Sequence, residues 1–121
     1  QVIVFRAPTE KENEQNTIEI TALINPKITK FSNETNDDWE GCLSIPGMTG
    51  LVKRYSTITY EGFDMNGNVI KKDAEGLHSR VVQHEFDHLM GIVYISRLAD
   101  KRAFGFTDEI QEYWKNHYEK E

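Results

Sequence analysis

His84, Glu85 and His88 stand in the run QHEFDH, residues 83–88, and the only cysteine, Cys42, stands in EGCLS, residues 40–44. Residues four apart on a helix have Cβ atoms roughly 5–6 Å apart, close enough for two imidazoles to converge on one ion at about 2.0–2.1 Å. The pattern is H-E-x-x-H, in which the glutamate can serve as general base toward a hydrolytic water. The plain alternative is a pair of partly buried histidines satisfied by hydrogen bonds. Three specified residues at these positions arise by chance on the order of once in a few hundred chains of this size, so the motif outweighs that alternative.

A catalytic metal site needs a third protein ligand and an open position. A further histidine after H-E-x-x-H-x-x-G-x-x is one route; Gly91 is in place, but Tyr94 occupies the ligand position. An acidic residue on a later helix is a second, with Asp108 or Glu109 at a suitable interval. Carboxylates in the first turn of a helix also have a simpler use, complementing its dipole and free N–H groups. Cys42 is the third. A free cysteine is often just a small buried hydrophobe, yet Gly41 before it and Pro46-Gly47 after it mark a constrained loop that can hold a side chain toward a metal. Spacing alone does not choose between them.

The element that must present the histidines is a helix over about Glu75 to Met90, where the apolar period becomes helical. At about 100° per residue, Leu77, Val81, His84 and His88 share one stripe, with Val82, Phe86 and Leu89 on the adjoining apolar face. Both histidines are expected to face inward. Glu85 falls between these stripes, and a carboxylate within an apolar arc is costly unless it is paired or has a chemical task. Arg80, Gln83 and Asp87 fall on the opposite, polar side. His78 lies off the ligand stripe and reads as structural; His117 reads as solvated.

Upstream, QVIVF reads as a strand already under way, and PTEKENEQNT as a solvated loop. TALINPKITKF is strand-like, but Pro26 in its middle points to an edge strand or a break. SNETNDD reads as another polar loop. Asn66-Gly67 accepts the positive φ angles of a tight turn, so two strands are expected around it. After the motif helix come a short apolar segment, GIVYI, and a second helix over FTDEIQEYWKNHYEK with Thr107 or Asp108 as its cap. The class is therefore α+β, without internal repeats.

The chain has 121 residues, a length suited to one domain with one core. Its formal net charge is −6, with no long cluster of Lys and Arg, which argues against a nucleic-acid or anionic-membrane partner. A single thiol rules out an internal disulfide and suits a reducing compartment. No apolar run approaches membrane-spanning length.

EGCLS taken together with QHEFDH, in that order and at that interval, resembles the peptide deformylase family. IPGMTGLVKRYSTITYEGFD and GIVYISRL are similar to it as well, so that the likeness covers roughly residues 1 to 106. The resemblance implies antiparallel strands packed around a central H-E-x-x-H helix, with a C-terminal helix, and residues 1–121 as a single catalytic domain. It implies removal of the N-formyl group from the initiator methionine of nascent polypeptides, releasing formate. Cys42, His84 and His88 become the metal ligands and Glu85 the acid/base residue. Fe²⁺ is the implied metal, with Zn²⁺ or Ni²⁺ able to take its place. Leu43 supplies a backbone N–H to the developing oxyanion. Glu40 and Arg54 match residues that pair beneath the site; the alternative is two separate surface charges. Leu77 and Val81 would line the methionine pocket, or be plain core. Residues 43 to 47, Ser44 among them, could offer a strand edge to the peptide main chain.

The family also has a glycine-rich segment, G-x-G-x-A-A-x-Q, whose glutamine donates to the oxyanion, and this is absent here. An N-terminal helix and that motif are expected to precede Gln1. Loss of one such donor typically costs about 10²–10³ in turnover, so a chain without it is expected to be weak or inactive. The implied partners are N-formylmethionyl nascent peptides, which could be met at the ribosome, with no nucleic acid bound directly and no membrane. A bacterial cytoplasm is the default location, with an organelle also open. Two rival readings remain: a zinc endopeptidase using Glu109 or Asp108 as third ligand, and a non-catalytic, metal-stabilised relative.

Overall fold

A computed structural model of the chain describes residues 1–8, 18–110 and 112. Strands β1 (Val2–Pro8), β2 (Ile18–Phe31), β3 (Thr35–Cys42), β4 (Ile45–Tyr55), β5 (Thr57–Phe63) and β6 (Val69–Glu75) precede helix α1 (Gly76–Leu89). A 3₁₀ turn at Tyr94–Arg97 and strand β7 (Phe104–Phe106) follow. The described residues divide into two compact units, one holding residues 1–35 and 55–92, the other 36–54 and those from 93 onward.

The first unit is an antiparallel sheet in the order β1-β2-β5-β6 with α1 packed against β1, β5 and β6. Strand alternation sends Ile3 and Phe5 into the core and leaves Val2 and Val4 exposed. Leu23, Ile58, Tyr60 and Ala74 meet them there, and Val82 enters from the helix. Pro26 does not mark an edge strand, because β2 is paired on both sides. It marks the break instead: the register with β5 shifts between Ile24 and Lys27, and Asn25 adopts a φ of 49°. A residue with no N–H fits where the ladder is already interrupted.

The expected turn joins β5 to β6. Gly67 has a φ of 83°, and the Asp64 carboxylate accepts the N–H groups of Asn66 and Asn68, both at 2.9 Å. Those donors, the Asn68 backbone foremost, hold the Asp64 carboxyl below its ordinary value.

Helix α1 has no side-chain N-cap; the Gly76 N–H donates instead to the Ser56 carbonyl at 3.1 Å. At the other end the Gly91 N–H bonds the His88 carbonyl at 3.1 Å and the Ile92 N–H bonds that of Asp87 at 2.9 Å. This pair of bonds is the Schellman arrangement, and the φ of 73° that Gly91 needs is why glycine serves there.

The second unit has a three-stranded sheet in the order β3-β4-β7. Residues 35–38, read from sequence as part of a loop, are strand. Their side chains are all exposed while the backbone pairs with β4, so polarity did not exclude a strand there. One apolar cluster has Leu51 and Ala103 buried with Trp39, Ala99 and Ile110 packed against them, and Val52 and Tyr94 are buried as well. Residues 107–110 are helical, in agreement with a helix starting near Thr107. The Thr107 hydroxyl lies 2.6 Å from that of Thr49. Most of the expected terminal helix, His117, and the tract from 9 to 17 lie outside the described residues. The described chain is thus mostly antiparallel strand with one long helix.

Candidate functional site

Helix α1 carries His84, Glu85 and His88. The two imidazole centroids are 4.9 Å apart with ring planes at 48°, as residues one turn apart on a common face should be. Both rings are half-buried rather than enclosed. Glu85 is half-buried too, its Oε2 3.9 Å from His88 Nδ1, too long for a hydrogen bond.

The expectation for the other face of α1 needs correction. Arg80, Gln83 and Asp87, read as a polar and therefore outward side, are buried, together with His78 and Ser79. Their burial is tolerated because hydrogen bonds replace water. The Gln83 amide spans both backbone groups of Tyr55, and His78 Nε2 sits 2.9 Å from the Tyr60 hydroxyl. His78 is structural, as its position suggested. Of the two residues read as pocket or core, Val81 packs against the core, whereas Leu77 is 62% exposed and belongs to no core.

In the second unit Cys42 is the last residue of β3, half-buried, followed by the turn at Leu43 and Ser44. The Leu43 side chain is fully exposed. Glu40, two residues before Cys42 and so on the same face of the strand, forms a bidentate pair with Arg54. Nε donates to Oε2 and Nη2 to Oε1, each at 3.0 Å, with both side chains buried. Separate surface charges are thereby ruled out. Burial raises the Tyr94 hydroxyl above its ordinary pKa, and the negative charges of Cys42 and Glu40 add to the shift.

Asp108 and Glu109 are exposed in the first turn of the helix that begins at residue 107, where the dipole argument expects carboxylates. Cys42, His84 and His88 are each half-buried, with one ligand atom to offer a metal ion. A thiolate and imidazoles are a donor set that late first-row divalent metals accept.

Sequence reasoning passed over Ser79 and read Gln83 only as part of the polar side of the helix. Their signal was the four-residue interval between a hydroxyl and an amide, ending beside His84.

Residues 1–104 match the family model of polypeptide deformylase. Peptide deformylase 1 of Nitrosomonas europaea is 46% identical over 111 residues, 91% of this chain and 63% of that protein. Peptide deformylase 2 of Ralstonia nicotianae is 53% identical over 88 residues, 73% of this chain and 50% of that protein. Among solved structures, a probable peptide deformylase from Synechococcus phage S-SSM7 superposes with a TM-score of 0.70 at 38% identity, covering 81% of this chain and 64% of that one. A Met-Ala-Ser-bound class I type b peptide deformylase from Acinetobacter baumannii gives 0.70 at 32% identity, covering 81% and 62%.

The chain belongs to the polypeptide deformylase family. It spans between half and about two thirds of the length of these relatives.

Proposed function

We propose that the chain carries the hydrolytic centre of a metal-dependent amidase that removes the formyl group from N-formylmethionyl peptides and releases formate. The observation that carries this reading is the paired His84 and His88 rings with Glu85 beside them on one helix, in a chain of this family. Cys42, His84 and His88 would hold one divalent ion, Fe²⁺ in the cell, with Zn²⁺ or Ni²⁺ as alternatives. When bound, such an ion supplies Lewis acidity and lowers the pKa of water toward roughly 7.

The chain's own residues do the rest. Glu85, half-exposed on the histidine-bearing side of α1, takes a proton from the attacking water and returns it to the departing amine. The Leu43 N–H donates to the formyl oxygen as charge develops there. The buried Arg54 guanidinium fixes the Glu40 carboxylate, and with it the face of β3 that also bears Cys42. Leu77, an apolar side chain held out from the core on the same stripe of α1 as His84, would line the methionine pocket with Val81. Ser44 and its neighbours would meet the peptide main chain. The domain would be a single one, with strands gathered around the motif helix and a C-terminal helix closing it. Its substrates would be nascent chains at the ribosome, in the cytoplasm. For the described residues, no helix is long and apolar enough to cross a membrane.

The test measures bound Co²⁺ per chain and, with a chain extended upstream by a segment that ends in the donor glutamine, formate release from an N-formylmethionyl tripeptide. One Co²⁺ per chain is expected. Glu85→Gln should keep the metal and lower formate release by about 10²–10⁴-fold. Cys42→Ala should release the metal, and Glu109→Ala should not. Full metal affinity in the Cys42 variant would reject the assignment.

A further inference from the structure

Gln83 is buried, and its side-chain amide meets both backbone groups of one strand residue. Its Oε1 accepts the Tyr55 N–H at 3.1 Å, and its Nε2 donates to the Tyr55 carbonyl at 2.9 Å. The same Nε2 lies 2.8 Å from Ser79 Oγ and 3.1 Å from the Ser79 carbonyl. Ser79 Oγ in turn donates to the Tyr55 carbonyl at 2.9 Å. Two side chains one turn apart on α1 therefore grip the N–H and C=O of a single strand residue.

Tyr55 is itself restrained. Its ring packs on Phe31 with centroids 4.7 Å apart. The next residue, Ser56, donates to the Glu34 carbonyl at 2.9 Å and accepts the Gly76 N–H at 3.1 Å. The start of α1 is thus tied to Ser56 and its second turn to Tyr55. Apolar contacts alone tolerate small rotations of a helix about its axis, since they are not directional. Paired hydrogen bonds with fixed geometry do not.

We propose that Gln83, with Ser79, is a positioning device that sets the rotation of α1 and thereby aims the imidazoles of His84 and His88. Gln83 adjoins His84 in sequence, so its fixed direction fixes that of the next side chain about 100° further round. The consequence for metal binding rests on the reading given under Proposed function; the aiming of the rings does not.

The experiment uses the 121-residue chain with two variants, Gln83→Met, close in volume without the amide, and Ser79→Ala, which removes one hydroxyl. The first readout is metal-free: the nuclear Overhauser contacts from the His78 ring on α1 to the Phe5 and Tyr60 rings on the sheet, 6.1 and 5.6 Å away between centroids, together with hydrogen exchange at the Tyr55 N–H. The second is Co²⁺ affinity by chelator competition. Gln83→Met should weaken these helix-to-sheet contacts and speed Tyr55 exchange while circular dichroism keeps its helical signal. It should lower Co²⁺ affinity about 10–100-fold, the usual effect of losing an outer-shell support. Ser79→Ala should act in the same direction and less. Unchanged helix-to-sheet contacts in both variants overturn the proposal. If Gln83→Met fails to fold, Ser79→Ala decides alone by the same contacts. A parent chain that shows these contacts and binds no Co²⁺ overturns the metal reading, and the positioning role is then decided by the metal-free readout.

Discussion

The two units differ in what holds them. The first encloses a continuous apolar core of seven buried residues fed by four strands and a helix, with Phe5 meeting Tyr60 edge to face at 6.1 Å. The second buries Leu51 and Ala103 with three half-buried neighbours, buries Val52 and Tyr94 outside that cluster, and adds a buried ion pair, Glu40 with Arg54. Apolar burial is non-directional and adjusts to small changes. An ion pair in a dry site does not: it is adequate when complete, and costly when one charge is left behind. The unit bearing the paired histidines rests on a continuous apolar core, and the one bearing Cys42 combines a smaller apolar cluster with a directional buried ion pair.

The sharpest way to break this comparison is Arg54→Ala, which removes the bidentate guanidinium from a buried Glu40 carboxylate. It should destabilise the chain by about 3–5 kcal/mol, read from urea unfolding. Replacing both partners, Glu40→Leu with Arg54→Leu, should recover most of that loss, because the pair's worth against apolar residues of similar size is near zero. A double variant as unstable as the single one would show that the pair contributes more than its own neutralisation.

In the first unit Leu23→Ala, at a fully buried position, should cost about 2–5 kcal/mol through lost transfer energy and the cavity left behind. The loss should not change with pH between 5 and 8, since no charge is exposed by it. A pH-dependent loss would mean that the apolar core is coupled to titrating groups.

A smaller effect is expected from Tyr94. Its pKa in the folded chain lies above the ordinary 10.0, from burial first and then from the charges of Cys42 and Glu40. As pH rises past 10, the unfolded chain loses this proton first, so stability should fall from there until the folded-state pKa is passed. Tyr94→Phe should flatten that part of the stability profile. An unchanged slope would place the alkaline loss elsewhere.

Gly91→Ala should have the least effect, about 1–2 kcal/mol, because a Cβ at a φ of 73° is strained while the rest of the cap survives. Thermal unfolding would show it; a larger loss would mean that the end of α1 depends on that cap more than on its packing.

The sequence made the paired histidines legible because their arrangement is encoded locally. His84, Glu85 and His88 lie within one helical turn and a half, and helix geometry alone puts the two rings on one stripe. The turn at Asn66-Gly67 is equally local, demanded at Gly67 by a backbone angle that few residues adopt. The bond between Glu40 and Arg54 is different. Fourteen residues separate them, and from sequence they could as readily have been two surface charges. The family likeness suggested the pair, and the pairing of β3 with β4 delivered it.

The wheel of α1 shows where local reasoning stops. Hydrophobicity sorts a helix into an apolar and a polar side on the premise that polar groups face water. Gln83 and Ser79 break that premise because the backbone of Tyr55 offers them a donor and an acceptor in a dry place. Residues 35–38 break it in another way, forming a strand whose side chains stay in solvent while the backbone is paired. Spacing determined that His84 and His88 share one face of a helix with Glu85 beside them. Which polar groups are buried was left to the tertiary structure, because a partner for a hydrogen bond is supplied by chain remote in sequence.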